Sequence, residues 1–189
     1  MNVTQLPEGY REIKTVDLLN NRKEMLTVNL AALLLGVVMV LPAALLVPFP
    51  VFHSELLYNI LVPLLFLAAL FLYILMHEAI HGVFMKKLSN VKPYFGFKGL
   101  MYAYAGSTAF FDKRSYILIA LAPVVLLGFV LLLANLLLPV AWFWFVYVIQ
   151  VVNISGAAGD IYVMNIIRKA PADTLISDAG VSMKLYSQA

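Results

Sequence analysis

The chain has 189 residues, of which 63% are hydrophobic and only 12% are charged, and its mean hydropathy is +0.92. One soluble core of this size cannot bury so much apolar surface, so the composition excludes a water-soluble globular protein and predicts a membrane protein. The net charge of +3 gives no separate case for nucleic acid. Because cysteine is absent, any metal site must use nitrogen and oxygen ligands.

Four apolar stretches are long enough to cross a hydrocarbon layer about 30 Å thick, which takes about 20 helical residues. Pro42, Pro63 and Pro123 lie inside these stretches and can kink or shorten a helix. The sequence therefore predicts an all-α membrane protein with four transmembrane helices. The predicted spans cover residues 27–47, 59–85, 116–138 and 140–167.

The distribution of basic residues predicts the orientation of these spans. All 13 lysines and arginines precede the first span, lie between the second and third, or follow the fourth. The positive-inside rule assigns those segments to the cytoplasm, so both termini are expected there. The expected division is a cytoplasmic N-terminal segment over residues 1–26, a transmembrane domain over 27–169 and a cytoplasmic tail over 170–189. No cleavage pattern precedes the first span, so we expect it to remain as an anchor.

Ionisable residues interrupt the second span near its end, in the sequence YILMHEAIHG. His77 and His81 are four residues apart and share one face of a helix, while Glu78 lies beside them. This is the HExxH pattern of zinc peptidases, in which the two imidazoles bind zinc and the glutamate deprotonates a water. The alternative is a set of buried polar residues that join helices by hydrogen bonds. Ionisable groups inside a membrane are costly, which favours the functional interpretation.

A catalytic zinc site commonly has three protein ligands, so a third ligand is expected from another span. Asp160 is the candidate, at the end of the sequence NISGAAGD in the fourth span. Asn153, Gly156 and Asp160 share one face by helical spacing. The small residues at 156–159 predict a close approach of another helix. The alternative for Asp160 is a carboxylate that lines a polar crevice or caps a broken helix.

The depth of the two motifs supports a shared metal ion. His77 lies nine residues before Lys86, and Asp160 lies eight residues before Arg168. Both positions are thus roughly 12–14 Å from the basic flank of their span. Asp112 is a reserve ligand, although its basic neighbours favour a solvated position. His53, alone in an outer loop, is interpreted as an interfacial residue and not as a ligand.

Residues 92–111 differ from the spans because they are rich in aromatic residues and glycine, which predicts a short β-hairpin between helices two and three. One hypothesis is that the edge of this hairpin holds an extended substrate by strand addition. The alternative is an aromatic belt at the membrane interface.

HEAIHG followed by NISGAAGD resembles the two motifs of site-2 proteases, which are intramembrane metalloproteases. Over nearly its full length the chain is also similar to a family of small bacterial membrane proteins described as zincin peptidases, including the opening LPEGYREI and the LAP of the third span. Site-2 proteases usually have leucine before the ligand aspartate and glycine after it. Here Gly159 precedes Asp160 and Ile161 follows it.

The resemblance implies that His77, His81 and Asp160 bind zinc. It implies that Glu78 is the general base, and that Asn153 orients substrate or stabilises the oxyanion. The expected function is hydrolysis of peptide bonds in or near the lipid bilayer by a zinc-activated water, with a membrane protein or peptide as substrate. The alternative is a non-proteolytic membrane scaffold or regulatory protein that binds metal with the same fold.

Overall fold

The structure, a computed structural model, describes residues 2–49, 55–99, 102–180 and 182–188. Within these ranges, four helical spans are long and apolar enough to cross a membrane, which confirms the predicted number. The first three spans are single helices, whereas the fourth consists of a short 3-10 helix, Val140–Trp142, followed by two α-helices. The α-helices are Arg22–Leu46 (α1), Leu56–Ser89 (α2), Lys113–Leu137 (α3), Phe143–Gly156 (α4) and Ala158–Lys169 (α5).

Helices α1 and α3 begin before their apolar runs because polar side chains cap them. Asn21 caps α1 by accepting hydrogen bonds from the backbone N–H groups of Lys23 and Glu24. Asp112 caps α3 by accepting from the backbone N–H of Ser115 at 2.8 Å. The structure therefore gives Asp112, the reserve ligand of the sequence analysis, a capping position.

The fourth span is broken, although the sequence predicts one continuous helix over 140–167. Ala157, with φ −71° and ψ 1°, separates α4 from α5. The adjacent Gly156 has a low helix propensity, so an interruption here costs little. As a result, Asp160 lies in the first turn of α5, where the helix dipole favours a carboxylate.

The helices pack in an order that differs from their order along the chain. Helix α1 packs against α4, α4 against α3, and α3 against α2, while α5 contacts both α1 and α3. Helices α1 and α2 therefore lie at the two ends of this row. Most leucines of α1 and α2 are exposed, as expected for surfaces that face lipid.

Strands β2 (Tyr94–Lys98) and β3 (Tyr102–Gly106) form an antiparallel hairpin inside the region where the sequence predicts one. Their register pairs Tyr94 with Gly106 and Phe97 with Ala103. The hairpin lies against α2, and β3 contacts that helix more extensively than β2 does.

A second, four-stranded sheet joins the two ends of the chain. The strands are Arg11–Val16 (β1), Phe110–Asp112 (β4), Leu175–Asp178 (β5) and Met183–Ser187 (β6). They are antiparallel and follow the spatial order β1-β6-β5-β4. The predicted class, all-α with one short β-hairpin, is therefore too narrow, because the fold is mostly helical with a second small sheet.

The four-stranded sheet packs against the helix ends that carry the basic residues. Phe111, Ile176 and Leu185 of the sheet are at most 1% exposed. They belong to one buried apolar cluster with Met85 of α2 and Ile119 of α3. The sheet thereby packs against the ends of α2 and α3.

Candidate metal centre

The two histidines of the HExxH sequence lie one turn apart on α2. Their ring centroids are 4.9 Å apart. Donor atoms of His77, Glu78 and His81 all lie within 4.8 Å of one another, a grouping able to hold a metal ion. The helical spacing of the sequence therefore produces the cluster that the motif predicts.

Asp160 reaches both histidines from α5. One carboxylate oxygen, Oδ2, is 3.5 Å from Nε2 of His77, and the other, Oδ1, is 3.7 Å from Nε2 of His81. Both separations exceed the usual hydrogen-bond range. Donors bound to one tetrahedral zinc lie about 3.3–3.5 Å from each other, because zinc–ligand bonds are about 2.0–2.2 Å long. The nitrogen and oxygen donors present here thus fit a zinc site in type and spacing.

The ring of His81 is oriented by the backbone of α3. Its Nδ1 lies 2.9 Å from the carbonyl oxygen of Ile119. A carbonyl oxygen can only accept, so Nδ1 carries a hydrogen, and in the neutral ring Nε2 then presents a lone pair toward Asp160. His81 is therefore held in the tautomer that a metal ligand requires.

Glu78 is held by the β2–β3 hairpin. Its Oε2 accepts a hydrogen bond of 2.9 Å from the backbone N–H of Ala105 in β3. Since Glu78 follows His77 directly, the hairpin lies over the same turn of α2 that carries the metal donors. Glu78, a carboxylate suited to base catalysis, is thus hydrogen-bonded to the backbone of strand β3.

The hairpin approaches α2 at a glycine. Gly82 follows His81, and a Cβ atom at this position would overlap the ring of Phe95 in β2. Only glycine leaves room for the ring in its present position. The last residue of HEAIHG therefore lets the hairpin come close enough for Ala105 to reach Glu78.

A cavity of about 280 Å³ contains the site and is lined by helices, by strand β3 of the hairpin and by the four-stranded sheet. Gly156 and Gly159 line it, but a Cβ at Gly156 would meet nothing within 4 Å. The predicted close approach of another helix is therefore wrong at Gly156, where the small residue borders open space. At Gly159 the nearest atom to such a Cβ is Cδ1 of Leu18, at 3.5 Å.

Asp178 also lines this cavity, and the sequence analysis did not identify it. Its carboxylate accepts hydrogen bonds from the hydroxyl of Tyr116 and, at 2.7 Å, from the backbone N–H of Gly180. Burial raises the pKa of Asp178, and the hydrogen bond from Tyr116 opposes that shift. The tail carries no motif that marks Asp178, because its place in the cavity results from strand pairing.

Asn153 is fully buried, and its side chain contacts neighbouring helices. Its Oδ1 accepts from the hydroxyl of Tyr73 at 3.1 Å, and its Nδ2 donates to the carbonyl oxygen of Val124 at 3.1 Å. Both ends of the amide are therefore engaged within the bundle. A role of Asn153 in orienting substrate or stabilising the oxyanion remains a prediction.

His53, which the sequence analysis interpreted as an interfacial residue, lies outside the described residues.

Comparison with known proteins identifies the family. Residues 70–175, more than half of the chain, match a family whose description is "Putative zincin peptidase". The matched region contains the HExxH sequence and Asp160. No curated protein and no solved structure matches the chain. The chain belongs to this zincin peptidase family, which suggests a metallopeptidase.

A methyl group at Gly82 is expected to loosen the hairpin. Gly82→Ala would force the ring of Phe95 to move, which we expect to lower the free energy of unfolding by about 1–3 kcal/mol relative to Gly36→Ala, since both variants gain the same helix propensity. Gly36→Ala in α1 is the matched control, because its Cβ would meet the nearest atom, of Val151, at 3.9 Å. Thermal unfolding in detergent compares the two variants. Equal stability of both would contradict the close packing at Gly82.

Proposed function

We propose that this member of the zincin peptidase family is a zinc-dependent peptidase embedded in the membrane. His77, His81 and Asp160 would be the zinc ligands, and Glu78 the general base. The observation that carries the proposal is the convergence of two imidazole Nε2 atoms on one carboxylate, at 3.5 and 3.7 Å, inside a cavity. Three ligands leave the fourth position of a tetrahedral site open for water or substrate.

The metal and the protein side chains would supply different parts of the hydrolysis. When bound, zinc supplies a Lewis acid that polarises the scissile carbonyl and lowers the pKa of water. Glu78 takes the proton of the attacking water and passes it to the leaving amine. The N–H of Ala105 holds one oxygen of Glu78 in place, which leaves Oε1 for the proton. Among the other carboxylates that line the described cavity, Asp160 is assigned to the metal and Asp178 accepts hydrogen bonds from Tyr116 and Gly180, so Glu78 is the candidate proton carrier.

The position of basic residues supports a site on the cytoplasmic side of the membrane. Helix α2 has Lys86 and Lys87 in its last turn, and α5 has Arg168 and Lys169 in its last turn. The positive-inside rule places these ends in the cytoplasm, together with residues 1–26 and 170–189. Water would then reach the cavity from the cytoplasm.

The geometry of β3 supports an extended peptide segment of a membrane protein as substrate. The N–H of Ala105 points to Glu78 and away from β2. Peptide groups alternate in direction along a strand, so the backbone of Ala103 also faces the cavity that it lines. A substrate strand could add to this edge. Cleavage that survives a proline at Ala103, with zinc binding intact, would exclude this mode of binding.

A relationship to site-2 proteases and a bacterial origin are part of the same proposal. The order of the motifs supports the relationship to site-2 proteases, since HEAIHG lies in one span and Asp160 in a later one. The bacterial origin rests on the family resemblance alone. The break before α5 places Asp160 in the first turn of a new helix. Gly159 stands where site-2 proteases usually have leucine.

Zinc content tests the proposed ligands. Purified protein in detergent is expected to hold about one zinc per chain, and His77→Ala and Asp160→Ala are each expected to lose it. Glu78→Gln is the matched control, because it should keep the metal while losing hydrolysis. Elemental analysis after dialysis gives the stoichiometry. A parent protein without zinc would contradict the proposed function, whereas Asp160→Ala with full affinity would contradict the third ligand. Hydrolysis that survives in Glu78→Gln would contradict the proposed base.

Labelling of introduced cysteines tests the orientation. The natural chain has no cysteine, so a single introduced thiol reports without background. We expect a membrane-impermeant maleimide to label Glu55→Cys in intact cells, because this residue precedes α2 at its outer end. Glu8→Cys should react only after the membrane is permeabilised. The reverse pattern would contradict the proposed cytoplasmic side.

A further inference from the structure

A chain of three hydrogen bonds connects His77 to the backbone of α3. Nδ1 of His77 lies 3.2 Å from the hydroxyl oxygen of Tyr73, one turn earlier on α2. This hydroxyl lies 3.1 Å from Oδ1 of Asn153 in α4. Nδ2 of Asn153 in turn lies 3.1 Å from the carbonyl oxygen of Val124 in α3. These three hydrogen bonds thus connect α2, α4 and α3, beginning at Nδ1 of His77.

The position of every hydrogen in this chain follows from its fixed end. The carbonyl of Val124 can only accept, so the amide nitrogen of Asn153 must face it and Oδ1 must face Tyr73. The single hydroxyl hydrogen of Tyr73 is then donated to Asn153. The oxygen of Tyr73 is left to accept from Nδ1–H of His77. In the neutral ring, Nε2 of His77 therefore has a lone pair, and this is the atom that faces Asp160 at 3.5 Å.

The local packing is adapted to this arrangement. Asn153 is fully buried, and a buried amide is stable only where its donors and acceptors are paired. Gly128 of α3 makes room for it, since a Cβ there would lie only 3.0 Å from Nδ2 of Asn153. His81 needs no such support because the carbonyl of Ile119 fixes its tautomer directly. His77 therefore depends on side chains where His81 depends on the backbone.

We infer that Tyr73 and Asn153 are positioning residues for the metal, which hold His77 in the tautomer and orientation that present Nε2. The inference rests on the proposed zinc site and assigns Asn153 a role different from binding the oxyanion. An oxyanion donor acts on the reaction and leaves zinc affinity unchanged. A residue that acts through Tyr73 and His77 changes zinc affinity before any substrate is present.

Zinc affinity measured by competition with a chromophoric chelator tests this inference in detergent-solubilised full-length protein. Tyr73→Phe is expected to weaken zinc binding by about 10- to 100-fold. Tyr147→Phe is the matched control, because it removes a hydroxyl that donates at 2.9 Å to the carbonyl of Met39, in the contact between α4 and α1. Its zinc affinity should equal that of the parent. Parent-like affinity in Tyr73→Phe would overturn the inference.

A double-mutant comparison tests whether Asn153 acts through Tyr73. Asn153→Leu should weaken zinc binding in the parent and have no further effect in the Tyr73→Phe background. Equal effects in both backgrounds would show that Asn153 acts independently and would overturn the inferred order.

The tautomer of His77 gives a readout that needs neither a variant nor zinc. A long-range ¹H–¹⁵N spectrum of zinc-free parent protein, recorded at a pH where the His77 ring is neutral, is expected to show Nδ1 protonated and Nε2 unprotonated on His77. A neutral ring with its hydrogen on Nε2 would overturn the inference even if Tyr73→Phe fails to fold. Because this spectrum is recorded without metal, it separates a failure of the positioning chain from a failure of the proposed zinc site.

Discussion

The site depends on holding one carboxylate against two imidazoles inside a bundle of apolar helices. Such groups are costly in lipid unless each has a partner. His77 and His81 come from one face of α2, and Asp160 comes from the first turn of α5. The separations of 3.5 and 3.7 Å are too long for hydrogen bonds and close to those of donors around one zinc. The packing of α3 between these helices maintains that spacing.

The parts of the chain outside the long spans complete the site. The β2–β3 hairpin positions Glu78 through Ala105, and it approaches α2 because Gly82 has no side chain. The four-stranded sheet closes the other side of the cavity and contributes Asp178. Polar groups of the site therefore meet backbone donors from strands as well as side chains from helices.

Much of this arrangement was predictable from local sequence. The length of the apolar runs predicted four spans, and helical spacing predicted that the two histidines share one face. The similar distance of His77 and Asp160 from their basic flanks predicted that Asp160 lies near the histidines. The terminal sheet was not predictable, because β1 pairs with β6 across more than 160 residues and such pairing leaves no local period. The same long-range contacts explain why Asp178 was missed. The sequence marked Asn153 as a candidate for binding substrate or the oxyanion, which stays a prediction, and its contacts with Tyr73 and Val124 were not predictable because they depend on the packing of α4.

X-ray absorption at the zinc edge tests the central claim most directly, because it reports the atoms that surround the metal. The account predicts a first shell of nitrogen and oxygen donors at about 2.0–2.2 Å, with multiple-scattering features of two imidazoles. Asp160→Ala, reloaded with zinc, should lose an oxygen donor of that shell or fail to bind the metal. A spectrum with one imidazole or none in the parent protein would contradict the assignment of His77 and His81 to a shared zinc.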